Sequence, residues 1–81
     1  MLDPRMVAVA LELEQEALDE KRLHLRFVSS FPGYAWYFTS FQFILDCGRD
    51  QGYFKKNGDN WELTPFRGRF LAHAGRTKLA A

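Results

Sequence analysis

One short segment, GYFKKNGDNWEL at residues 52–63, constrains the fold more than any other part of the sequence. Two strand-like runs, each with aromatic residues, flank the pair Asn57-Gly58. Because both residues accept the positive φ that a primed turn requires, this pair predicts a tight β-hairpin.

The hairpin leads directly into a predicted helix. Thr64 suits the N-cap and Pro65 suits the first helical position, where a missing N–H costs nothing. We expect this helix to continue through about Ala74 and to end at Gly75. Residues 76–81, RTKLAA, then read as a frayed tail.

The N-terminal segment predicts another helix, from Asp3 to Glu20. Asp3 is a good N-cap and Pro4 again suits the first helical position. Apolar residues recur with helical spacing along the segment, which gives one broad apolar face. Its acidic residues are expected on the opposite, solvated side: Glu12, Glu16, Asp19 and Glu20.

The middle of the chain is less determined. Residues 21–31 fit a strand with period two or a helix with an apolar stripe, and periodicity does not choose between them. Pro32-Gly33 marks a turn in which Gly33 can supply a positive φ. For residues 34–50 a helix is favoured, because seventeen residues are long for one strand, and Gly52 would terminate it in the left-handed conformation.

Composition indicates one small ordered domain, residues 1–81. The chain is 47% hydrophobic and 16% aromatic, which is typical of a folded core and not of a disordered tail. A TIM barrel or a complete Rossmann domain does not fit in 81 residues. The sequence contains no run of about 20 apolar residues and no basic signal-peptide start, so we expect a cytoplasmic protein that does not enter a membrane.

Residues 32–75 resemble the second half of a winged helix-turn-helix domain. The resemblance rests on the Pro32-Gly33-Tyr34 turn, Leu45 before Gly52-Tyr53-Phe54, a polar hairpin at residues 55–60, and Leu63-Thr64-Pro65 before a helix of small residues. It implies an α+β fold with three to four helices and a C-terminal β-hairpin. If residues 22–31 and 34–45 are both strands, the fold is instead an N-terminal helix packed on an antiparallel sheet.

The resemblance implies a small regulator that binds duplex DNA. In that family the hairpin tip meets phosphates, which here suggests Lys55, Lys56 and Asn57, with further cations at Arg67 and Arg69. The recognition helix would offer possible base contacts at Thr39, Ser40 and Gln42. This sequence departs from a typical DNA-recognition helix because no Lys or Arg lies between Arg26 and Arg49. A polar hairpin tip that is only solvated is the alternative.

Charge is divided along the chain. Residues 1–46 hold four Lys/Arg against seven carboxylates, and residues 47–81 hold seven Lys/Arg against three. Such a division can direct one face of a small domain towards an anionic partner, although it also fits an ordinary solvated surface.

The aromatic residues suggest a second function from a different class. If Trp36, Tyr37 and Phe43 face outwards, they form an apolar patch of the kind that binds a protein partner or a second copy of the chain. The domain would then be an adaptor or inhibitor. If they face inwards, they belong to the core.

No motif supports catalysis. The sequence has no phosphate-binding glycine loop and no His or Cys cluster at metal-ligand spacing, so we expect neither an enzyme, a cofactor nor a small-molecule substrate. His24 and His73 are expected to be structural or solvated. The single cysteine, Cys47, is expected to be a buried or half-buried small hydrophobe.

Overall fold

The computed structural model describes residues 2–80, with side chains for residues 2–77, as an α+β domain. Its elements, in chain order, are α1 (Pro4–Gln15), β1 (Leu18–Asp19), α2 (Glu20–Ser30), a 3₁₀ helix (Pro32–Trp36), α3 (Phe38–Asp50), β2 (Phe54–Asn57), β3 (Asn60–Leu63) and α4 (Arg67–Ala80). The predicted α+β class is therefore confirmed, and the four α-helices agree with the predicted three to four. The strands form one antiparallel sheet in the order β1-β3-β2.

Helix α1 begins as the sequence predicts but ends earlier. The Asp3 side chain accepts a hydrogen bond from the backbone N–H of Arg5, and Pro4 is the first helical residue. The predicted extension to Glu20 is wrong, because the chain leaves the helix after Gln15 and forms β1. The reason lies in Asp19, whose carboxylate accepts from the Arg22 N–H at 2.8 Å and so starts a new helix.

In the segment 21–31, which the sequence left open, residues 21–30 are helical and Phe31 is the C-cap. Leu23 and Phe27 lie on the buried face of α2, one turn apart, whereas Leu25 is 68% exposed. Residues 38–50 are also helical. The alternative of a single helix packed on a sheet made from residues 22–31 and 34–45 is therefore wrong.

The boundaries of α3 follow from its flanking residues. Pro32–Trp36 forms a 3₁₀ helix, and Gly33 does not use a positive φ there. At the other end Gly52 has φ 84°, and the N–H of Tyr53 donates to the Gly48 carbonyl at 2.9 Å. This is a Schellman ending, so the prediction that Gly52 terminates the helix is confirmed.

The predicted hairpin is present, with a different turn. Asn57 pairs with Asn60, so the two turn residues are Gly58 and Asp59. Only Gly58 has a positive φ, of 63°. The expectation that Asn57 shares a positive φ is wrong, and the φ pattern is that of a type II′ turn, which takes Gly first.

Helix α4 begins later and ends later than the sequence predicts. Thr64 still caps it, because its Oγ1 accepts from the Gly68 N–H at 2.8 Å, but the helix starts at Arg67. The prediction that Gly75 ends the helix is wrong, because α4 runs to Ala80. Gly75 lies where α4 crosses α1, and a Cβ atom there would collide with Val7.

One hydrophobic core joins the four α-helices and the sheet. The α1 residues Val9 and Ala10 are fully buried within it. The largest fully buried side chains come from α2, α3, the hairpin and α4: Trp61, Phe27, Phe41, Phe54, Leu23, Leu45 and Leu71. The core fixes α3 and the hairpin against each other, and these two elements carry most of the predicted site residues.

Candidate interaction surfaces

The predicted base-contacting residues do not share one environment. Thr39 and Ser40 are exposed in the first turn of α3. Gln42 is half-buried, and its Nε2 donates to Oε2 of Glu20 at 3.0 Å. Its amide therefore serves an internal contact between α3 and the start of α2.

Glu20 is the centre of a polar cluster between the helices and the sheet. Its Oε1 accepts from the indole N–H of Trp61 at 3.2 Å and lies 3.7 Å from Nζ of Lys56. The hydrogen bond from Gln42 holds the pKa of the Glu20 carboxyl below its ordinary value, with Trp61 and Lys56 acting in the same direction against desolvation. Glu20 was expected on a solvated helix face, and the structure corrects this.

The predicted cations of the hairpin are engaged by carboxylates. Lys55 Nζ lies 3.6 Å from Glu62 across the two strands, and Lys56 pairs with Glu20. Lys56 also lies 5.9 Å from the centre of the Trp61 ring. Asn57 is exposed beside the turn. The hairpin tip is thus exposed, but its two lysines already have local counter-charges.

Arg49, at the end of α3, is similarly placed. Its guanidinium lies 3.3 Å from Asp46 and 5.7 Å from the centre of the Trp61 ring. Every Lys and Arg within α3 and the hairpin, namely Arg49, Lys55 and Lys56, is therefore within 4 Å of a carboxylate.

Arg67 and Arg69 are on α4, whereas the hairpin lysines are on β2. The Arg67 guanidinium lies 5.5 Å from the centre of the Tyr53 ring. Arg69 shares a depression of about 310 Å³ with Lys55, and the carboxylates Glu14 and Glu62 also line it. Among the side chains of residues 2–77, neither arginine has a carboxylate within 4 Å.

The three aromatic residues that the sequence singled out face solvent. Trp36 is 89% exposed, Tyr37 60% and Phe43 68%. They lie within eight residues, across the end of the 3₁₀ helix and the first half of α3, and we call them the aromatic surface. Of the two alternatives left by the sequence, the outward one is correct for these side chains.

A second exposed surface was missed by the sequence reasoning. Phe66 is 85% exposed and Phe70 68%, and with His73 they fall at i, i+4 and i+7. Together with Arg67 and Arg69 they form the α4 surface. The signal was present in the sequence, because all three residues fall at helical spacing within the helix predicted from Pro65 to about Ala74. The sequence does not reveal which side of that helix the core covers.

An apolar groove of about 470 Å³ lies between α1 and α2. Val7, Leu11 and Phe31 contribute to its walls. At its rim Arg26 pairs with Glu16 at 2.8 Å and with Glu12 at 3.5 Å. The cation at the rim is therefore held by two carboxylates.

The histidines and the cysteine occupy ordinary structural positions. The Nε2 atom of His24 lies 2.8 Å from the carbonyl oxygen of Tyr34, and its ring packs against Phe38 and Phe41. His73 is exposed, and Cys47 is half-buried against the core. Among the described residues no three His, Cys, Asp or Glu side chains form a metal-binding cluster, and no described helix is long and apolar enough to cross a membrane.

Comparison with known proteins yields no match, whether with protein-family models, with curated proteins or with solved structures.

Proposed function

We propose that this domain is a protein-interaction module that binds its partner through the aromatic surface. The observation that carries the proposal is the exposure of Trp36, at 89%, together with that of Tyr37 and Phe43 within the same eight residues of the chain. Trp and Tyr dominate the energetics of protein interfaces because they bury large areas with few rotatable bonds.

The charges around the aromatic surface favour a protein partner over nucleic acid. Duplex DNA binding draws its affinity from cations that replace the counterions on phosphates. In α3 and the hairpin each cation already faces a carboxylate, and Gln42 is held by Glu20. Thr39 and Ser40 are the neutral polar side chains left near the aromatics, which is typical of the polar part of a protein interface.

Duplex DNA binding by a winged-helix domain is the second candidate function. The element order of helix, strand, two helices, hairpin and helix supports it, as does the sheet order β1-β3-β2. The side chains of Lys55 and Lys56 remain 50% and 43% exposed, so phosphate could replace their carboxylate partners. Asn57 would extend such a contact at the hairpin tip.

The first experiment measures self-association by light scattering and then selects binders from a displayed library of random peptides. We expect either a dimer or a family of peptides with a shared apolar pattern. Dimer formation or peptide binding, whichever is observed, should be lost in Trp36→Ala and in Phe43→Ala. It should persist in Leu25→Ala, a matched control that removes an equally exposed apolar side chain from α2. A monomer that enriches no such peptides contradicts the proposal.

The second experiment separates the two candidates. Labelled random duplex DNA is titrated by fluorescence anisotropy at about 50 and 200 mM salt. Salt-sensitive binding that disappears in the double variant Lys55→Glu/Lys56→Glu and is unchanged in Trp36→Ala would replace the protein-interaction proposal with the nucleic-acid one. Absence of DNA binding at the lower salt concentration removes the second candidate.

A further inference from the structure

The α4 surface combines exposed aromatic rings with two arginines that have no carboxylate within 4 Å among residues 2–77. Phe66 and Phe70 are 85% and 68% exposed, one helical turn apart. Arg67 and Arg69 flank them. The opposite side of α4, with Leu71, is buried in the core. The helix therefore presents a distinct apolar and basic side to solvent.

The pattern of ion pairs across the molecule makes this surface unusual. Within residues 2–77, every Lys and Arg has a carboxylate within 4 Å except Lys21, Arg67 and Arg69. Two of these three lie on the α4 surface. The remaining described cations, apart from these three, each lie within 4 Å of a carboxylate. The α4 surface therefore keeps positive charge available for an external anion.

A shallow, open depression of about 690 Å³ lies between α4 and the start of β2. Among residues 2–77 its lining contains no carboxylate: Tyr53, Pro65, Phe66, Arg67, Arg69, Phe70 and His73. The guanidinium of Arg67 lies 5.5 Å from the centre of the Tyr53 ring, and both residues line this depression. A depression with aromatic walls and cations at its edge accommodates apolar and acidic side chains that project from a peptide.

We propose that the α4 surface binds an acidic amphipathic segment of a partner protein. Its apolar side chains would enter the depression beside Phe66 and Phe70, and its carboxylates would pair with Arg67 and Arg69. This surface differs from the aromatic surface of α3, so the inference does not depend on the function proposed above.

A second copy of this chain is a poor source of that segment. Of the carboxylates in the described residues, all except Asp50 and Asp59 already lie within 4 Å of a cation. The acidic side of α1 is neutralised in this way by Arg26 and Arg76. An acidic segment with uncompensated charge must therefore come from another protein.

The test uses a labelled synthetic helical peptide with Leu and Phe on one side and Glu on the other, titrated by fluorescence anisotropy. A matched peptide carries Gln in place of Glu. We expect the acidic peptide to bind the complete chain and the Gln peptide to bind at least about tenfold more weakly, a difference of about 1.4 kcal/mol. Added salt should weaken the acidic peptide further.

Variants locate the site. Arg67→Glu/Arg69→Glu and Phe66→Ser/Phe70→Ser should each abolish peptide binding, and both should retain the wild-type circular dichroism because these side chains are exposed. Lys21→Glu, which removes the other cation of residues 2–77 that has no carboxylate within 4 Å, should bind normally. Trp36→Ala should also bind normally, which separates this proposal from the aromatic surface.

Three outcomes would overturn the inference. The first is equal binding of the acidic and Gln peptides. The second is acidic-peptide binding that survives Arg67→Glu/Arg69→Glu. The third is an absence of peptide binding together with Arg67-dependent binding of random duplex DNA or of vesicles containing phosphatidylglycerol, which would assign the cations to phosphate groups.

Discussion

The indole N–H of Trp61 donates to the Glu20 carboxylate at 3.2 Å, which connects the central strand β3 to the first residue of α2. Trp61 is 1% exposed, so its polar N–H needs a partner inside the protein. The same carboxylate accepts from Gln42 on α3 at 3.0 Å. One side chain thus fixes the relative positions of α2, α3 and the sheet.

Replacement of Glu20 should destabilise the fold. Glu20→Ala leaves the Trp61 N–H without its acceptor, and we expect a loss of about 1–3 kcal/mol in the free energy of unfolding. Glu20→Gln keeps an acceptor and should lose less. Urea unfolding followed by circular dichroism at neutral pH measures both. A Glu20→Ala variant as stable as wild type would show that the contact contributes nothing.

The Glu20 contribution should depend on pH. Its pKa is lowered in the folded protein from an ordinary value of 4.5, so the ionised carboxylate stabilises the fold above that value. This stability is lost as the pH falls through the lower, folded pKa. We therefore expect the stability difference between wild type and Glu20→Gln to be largest near neutral pH and to shrink below about pH 4.5. Asp59→Asn, in an exposed turn, serves as the control and should follow wild type.

The two tryptophans should report opposite environments. In Trp36→Phe the remaining indole is buried Trp61, so fluorescence emission should shift to shorter wavelength and resist quenching by iodide. The substitution should change stability by less than about 0.5 kcal/mol because Trp36 makes few contacts. Trp61→Ala, in contrast, should cost about 3–5 kcal/mol. Strong iodide quenching of Trp36→Phe would show that Trp61 is accessible to solvent.

Signals in the sequence that depend on local geometry located several elements correctly. Asp3 and Pro4 mark the start of α1, and Gly52 marks the end of α3, because a capping side chain or a positive φ needs only neighbouring residues. The hairpin was also found from its turn residues. Strand β1 was missed because its two residues, Leu18 and Asp19, pair with β3 more than 40 positions away in the chain.

The candidate site was less predictable than the fold because its contacts join residues that are far apart in the sequence. The sequence identifies Lys56 and Gln42 as polar candidates, but it does not reveal that both contact Glu20. Their availability to a ligand depends on long-range packing. The exposure of Trp36 and Phe43 likewise follows from which side of α3 the core covers, and periodicity left both orientations open.

Thr64 should be more important for stability than an ordinary half-buried threonine. Its Oγ1 donates to the Gly52 carbonyl at 2.7 Å and accepts from the Gly68 N–H at 2.8 Å, so it joins the end of α3 to the start of α4. We expect Thr64→Val to lose about 1–2 kcal/mol, since it keeps the shape and removes both hydrogen bonds. Thr64→Ser retains the hydroxyl and should lie close to wild type by urea unfolding. A Thr64→Val variant as stable as wild type would show that the two hydrogen bonds contribute nothing.

Gly75→Ala should destabilise the fold, whereas the same substitution at an exposed helix glycine stabilises it. Alanine in a helix interior normally gains about 1 kcal/mol over glycine. At residue 75, however, the added Cβ would collide with the Cγ1 methyl of Val7, and forcing α4 away from α1 should cost about 1–3 kcal/mol. The double variant Val7→Ala/Gly75→Ala opens that space, so its stability loss should be smaller than the sum of the two single losses. Additive losses in urea unfolding would contradict the close crossing of α1 and α4 at this point.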